Sequence, residues 1–185
     1  MPSTQTPKPL FHSLKPAGPV ANAAAADRLH EALIEAAGTD GWSDTLAAAW
    51  PALAPVAGAS PYLSGLMRRR PAHLRRILET DPDAALGDIL SRTDALDDEP
   101  EAMKQPLRVL KADLHLLTAL ADLGGVWGLD AVTGALSRFA DAACRAALRA
   151  VGAEQRARAS DLARRRRARP RAGPVRPGHG QARRE

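Results

Sequence analysis

The chain has 185 residues, enough for one ordinary domain, with 45% hydrophobic residues but only 3% aromatic. A single cysteine excludes an internal disulfide and fits a reducing compartment, and no apolar run approaches the roughly 20 residues of a membrane span. The net charge of +5 belongs to one end: eleven of the 26 basic residues lie between Arg156 and Arg184, where Asp161 is the only acid, and the body before them is mildly acidic.

Residues 1–20, with prolines at 2, 7, 9, 16 and 19, read as an extended, disordered leader. The polar start MPSTQTPKPLFHSLKP lacks the apolar stretch of a signal peptide, so the chain reads as cytoplasmic. From Ala21 to Ala37 the spacing predicts a helix with Leu29, Leu33 and Ile34 on one side and Gly38 as its C-cap. A weaker helix is predicted from Ser43 to Trp50, broken by Pro51 and Pro55. Ser60-Pro61 then opens a short helix, Pro71 a second with Leu74, Ile77 and Leu78 inward, and Asp81-Pro82 a third through Leu90.

Residues 94–101, DALDDEPE, read as a solvated acidic loop. A long helix follows from about Glu101 to Leu123, striped by Leu107, Leu110, Leu114, Leu117 and Leu120, with Pro106 awkward unless it lies near the helix start. Gly124-Gly125 ends it. The last helix is predicted from an Asp130 N-cap to about Ala153, with Val132, Leu136, Phe139, Ala143 and Ala147 on one face. No strand signal occurs. Beyond Gly152 the arginine-rich stretch lacks the apolar residues to offset ordering entropy and reads as a disordered tail. The chain thus divides into a leader (1–20), a helical region (21–153) and a tail (154–185).

Candidate chemistry is sparse. His12, His30, His73, His115 and His179 do not pair at metal-ligand spacing. Cys144, among Ala142, Ala143 and Ala146, reads as a small buried residue rather than a nucleophile. Asp97, Asp98, Glu99 and Glu101 read as surface, and Asp113, Asp122 and Asp141 as helix residues facing solvent or pairing with arginine. Gly124-Gly125 lacks the Lys-Ser/Thr of a phosphate-binding loop and is explained by a helix C-cap. Arg68, Arg69 and Arg70 complement a helix C-terminus, and Arg164 to Arg167 suit nonspecific, salt-dependent contacts with phosphate backbones. No residue is assigned as catalytic, cofactor-binding or metal-binding.

Two blocks carry more than helical composition: SPYLSGLMRRRPAHLRRILETDP at 60–82 and LKADLHLLTALADLGGVWGLDAVTGALSRFADAACRAAL at 110–148. Together they resemble the N-terminal region of the glutamine synthetase adenylyltransferase/adenylyl-removing enzymes of proteobacteria, over about residues 20–150. The resemblance implies a much longer bifunctional protein with two nucleotidyltransferase domains, one adding AMP from ATP to a tyrosine of glutamine synthetase and one removing it by phosphorolysis. Magnesium held by an Asp-x-Asp motif, glutamine and PII signalling proteins belong to that picture. It also implies an all-α chain of antiparallel helices leading into an α/β nucleotidyltransferase domain. The magnesium and ATP sites would lie outside this chain, which would then bind no cofactor and be inactive alone.

In the family the last helix is followed by a strand reading roughly Gly-Leu-Val-Val-Leu-Ala-Met-Gly-Lys-Leu-Gly, where this chain has its arginine tail. Written with CGN arginine codons and read from the second base, PGHGQARRE at 177–185 permits Leu-Ala-Met-Gly-Lys-Leu-Gly-Ala. Pro174 and Arg176 similarly permit Leu and Val. A reading-frame change between about Gly152 and Gly173 is the resulting expectation. Two other readings stand beside it: a non-catalytic helical module docking on glutamine synthetase or a PII protein, and a nucleic-acid binder acting through the arginine tail.

Overall fold

Four helix starts are set by a side chain that accepts a hydrogen bond from the first turn: Asn22, Ser60, Asp81 and Glu99. Proline occupies the first turn at positions 61, 71, 82 and 100, where its missing N–H costs nothing. In the computed structural model, which describes residues 7–168, these signals delimit α1 (Ala23–Asp40), α2 (Ser43–Ala59), α3 (Pro61–Arg69), α4 (Pro71–Glu79), α5 (Pro82–Asp94), α6 (Pro100–Leu123) and α7 (Leu129–Ala168). A 3-10 turn at Leu10–His12 precedes them, and no strand occurs among the described residues.

α1 and α2 form a hairpin: Gly58 at the end of α2 lies against Asn22 at the start of α1. α3 and α4 cross between this pair and α6. α6 and α7 also run antiparallel, since the end of α6 leads directly into the start of α7 while Met103 near the start of α6 packs against Ala146 and Ala150 near the middle of α7. Leu110, Leu114, Leu117 and Leu120 of the expected stripe are buried in one continuous core with Leu29, Leu33, Leu53, Leu74, Ile77 and Leu78. Each such leucine contributes about 1.5–3 kcal/mol by leaving water.

Several expectations are corrected. The leader is ordered from residue 7 onward: Leu10 is fully buried, its N–H donates to the Thr80 carbonyl (3.0 Å), and the Lys15 N–H donates to the Gly124 carbonyl (3.0 Å). Leu10, with Phe11 and Leu14 packed beside it, and these backbone bonds anchor a segment whose prolines exclude only an α-helix. Gly124 permits this seating, because a Cβ there would collide with Leu14 and with the Leu120 carbonyl.

α2 continues through Pro51 and Pro55. The two prolines strip hydrogen bonds from the carbonyls of residues 47 and 51, and both of those residues are exposed, so water replaces the lost donors. Pro106 sits inside α6 for the same reason, its orphaned carbonyl belonging to exposed Ala102. α1 runs past Gly38 to a left-handed C-cap at Gly41 (φ 73°), and Ile34 is 53% exposed.

α7 departs most. It begins at Leu129, with Asp130 inside its first turn rather than capping it. Its buried face is Ala135, Phe139, Ala142, Ala146 and Ala150, rotated from the expected one. It continues as helix to Ala168, so the boundary expected at 153 falls within one element. Residues 155–165 are all exposed and add nothing to the buried core. Alanine, arginine, glutamine and leucine are strong helix formers, and the i,i+4 pairs Glu154–Arg158 and Asp161–Arg165 support the extension. Residues 1–6 of the expected leader and 169–185 of the expected tail lie outside the described residues.

Candidate functional site

The most concentrated set of polar side chains lies where α3 and α4 meet α6. Pro71 starts α4 directly after Arg70, and a spacing of three places His73 and Arg76 on the same face of α4. Opposite them Asp113 stands within the leucine stripe of α6, its side chain 1% exposed. His73 Nδ1 donates to Asp113 Oδ1 (2.7 Å) and Arg76 Nη2 to Asp113 Oδ2 (2.8 Å). Arg70 Nη1 lies 3.9 Å from Oδ1, buried and without a hydrogen bond of its own.

Burying a lone carboxylate is costly, so Asp113 in a leucine stripe requires these partners. Both its oxygens are already engaged and closed to a substrate. The cluster clamps α4 onto α6 and offers neither a nucleophile nor a free base. Two residues further along α6, His115 Nδ1 and the Tyr62 hydroxyl share a hydrogen bond (2.8 Å) that ties α3 to the same helix. Burial, and secondly the charge of Lys111, hold the His115 imidazole below its ordinary value.

The other histidines are dispersed. His30 stacks on Trp50 (centroids 4.0 Å apart), His12 lies beside Phe11, and His179 is outside the described residues. Among the described residues no three His, Cys, Asp or Glu side chains converge as metal ligands. The magnesium implied by the family resemblance therefore finds no matching donor set in these residues.

Cys144 is exposed, contrary to expectation. It lies two residues from buried Ala142 and Ala146, and that spacing turns it to the opposite face of the helix. Asp122 and Asp141 are exposed, and Gly124 and Gly125 close α6 as a C-cap and the left-handed residue after it (φ 67°). Arg68 and Arg69 fall in the last turn of α3. Arg164 to Arg167 lie on the helical extension, where Arg165 pairs with Asp161.

The acidic loop is a docking element rather than plain solvated surface. Arg145 of α7 forms a bidentate pair with Asp94 at the end of α5, and Arg149 Nε donates to Asp98 Oδ1 (3.0 Å). The signal for this was present: two arginines four apart on one helix opposite a run of carboxylates. It was missed because the partners are about 50 residues apart in sequence.

The profile of the glutamate-ammonia ligase adenylyltransferase family matches residues 50–173. A bifunctional glutamine synthetase adenylyltransferase/adenylyl-removing enzyme of Caulobacter vibrioides is 53% identical over 141 residues, which is 75% of this chain and 14% of that protein. Its counterpart in Bradyrhizobium diazoefficiens is 42% identical over 110 residues, covering 57% of this chain and 11% of the relative. In Xanthobacter autotrophicus the figure is 45% over 96 residues, covering 50% and 10%. No solved structure matches the chain. The matched region thus spans only about a tenth to a seventh of the length of these curated relatives. With more than half of its residues under the family profile and close identity across three quarters of its length, the chain belongs to the glutamate-ammonia ligase adenylyltransferase family.

Proposed function

We propose that this chain supplies the N-terminal helical segment of a bifunctional glutamine synthetase adenylyltransferase/adenylyl-removing protein, and that by itself it neither transfers nor removes AMP. The observation that carries this reading is the pairing of high identity with small coverage: 53% identity, but over 14% of the relative. In the longer protein the helices would brace an α/β nucleotidyltransferase domain. That domain would supply the magnesium and ATP sites, in a cytoplasmic enzyme acting on glutamine synthetase and answering to PII proteins.

The outer face of α7 supports the same reading. Leu129, Leu136, Leu148, Val151 and Leu162 are 40–76% exposed. At 100° per residue they fall within about a third of the helix circumference, opposite the buried alanines. Such a stripe suits a surface covered by further protein. The reading-frame change is part of the proposal: the family match ends at residue 173, and the shifted frame begins to spell the family strand at Pro174.

Two experiments test it. Incubated with adenylylated glutamine synthetase and phosphate, the chain should release no ADP, and measurable turnover would contradict the proposal. The nucleotide sequence should continue, in the shifted frame, into a segment bearing the Asp-x-Asp motif. A frame without that motif sinks the frameshift.

A further inference from the structure

The first two turns of α1 and one side of α3, from Pro61 to Arg68, face one another across a cleft of about 330 Å³, floored by the last turn of α2. Gly58 makes the cleft possible. A Cβ there would stand 3.0 Å from the backbone N and O of Asn22, so glycine lets the segment entering α1 close onto the end of α2. Arg28 lines the cleft from α1 and Arg68 from α3, and no carboxylate lines it. Neither guanidinium has an ion-pair partner among the described residues, so both charges are available to a ligand.

Other polar groups favour the same sign of ligand. The Asn22 side-chain oxygen is used in capping α1, which leaves its NH₂ as a donor, and Ser64 adds a hydroxyl. The carbonyls ending α2 oppose an anion with about half an elementary charge. Two full positive charges, added to the positive ends of α1 and α3, outweigh them. Guanidinium forks on opposite walls match oxyanions, and the volume lies at the small end of ligand cavities.

We propose that this cleft binds a small dianion, a phosphate monoester or a dicarboxylate, gripped between Arg28 and Arg68. The claim is independent of the family reading and is tested on the whole 185-residue chain. Backbone amide NMR spectra are recorded during titration with inorganic phosphate and, separately, with succinate at constant ionic strength. The Ala25, Gly58 and Ser64 amides should shift saturably, and the tighter probe identifies the ligand class. Arg28→Gln and Arg68→Gln should each weaken binding about tenfold, as expected for loss of a charge-assisted contact. Both side chains are exposed, and the remaining amide resonances report that the fold is intact. Arg156→Gln, which removes one charge from the basic extension, should leave binding unchanged. The proposal fails if neither probe moves these amides, if the two cleft variants bind like the parent, or if Arg156→Gln weakens binding as much as they do.

Discussion

α6 and α7 pack side by side and point their leucines in opposite directions. α6 turns Leu110, Leu114, Leu117 and Leu120 into the core. α7 turns mainly alanines inward and leaves Leu129, Leu136 and Leu148 in water. Small residues let α7 lie close against α5 and α6, so its contact rests on backbone proximity and on Arg145 and Arg149 reaching across to Asp94 and Asp98. The contrast separates a helix that organises this segment from one that closes it on one side and offers a second apolar face on the other. Apolar periodicity alone does not reveal which stripe is the interior one.

The largest expected effect is on the α6 side. Leu117→Ala should destabilise by about 3 kcal/mol, through lost burial and the cavity left behind, while Leu148→Ala on α7 should cost under about 0.5 kcal/mol. Urea midpoints measure both, and similar losses would break the comparison. Asp113→Asn should cost about 2 kcal/mol in the same assay, less than a fully buried pair because Arg76 is 44% exposed. A neutral result would mean that the cluster does not clamp α4 to α6.

Replacing Leu136, Leu148 and Val151 together by glutamine should leave the melting temperature nearly unchanged while reducing dye binding and self-association. A large fall in melting temperature would show that this face is already covered. The smallest effect concerns His115. Its folded value lies below 6.5, so the unfolded chain takes up the proton first as pH falls. This contribution to stability is therefore full above about pH 6.5 and declines as pH drops toward the folded value. The urea midpoint should fall slightly more for the parent than for His115→Gln between about pH 7.5 and about pH 5.5. Equal slopes would remove His115 from the account.

Much of the clamp was legible in advance. Asp113 falls inside a leucine stripe, a position where a carboxylate needs a cationic partner, and an arginine pairing was among its expected roles. His73 as its second donor was not foreseen, although the three-residue spacing to Arg76 on a helix opened by Pro71 carries that signal. The cleft between Arg28 and Arg68 was not legible at all, because it exists only where three helices meet at Gly58.

By itself the sequence determined the helices of the middle of the chain, their starts at Ser60, Pro71 and Asp81, and the family, because capping, proline placement and block identity are local properties. Tertiary structure decided the rest. It seated the leader through Leu10, carried α2 through two prolines whose freed carbonyls belong to exposed residues, and chose the alanine face of α7 over the leucine face. Each of those outcomes depends on which surface a neighbour occupies, and spacing along one helix does not contain that information.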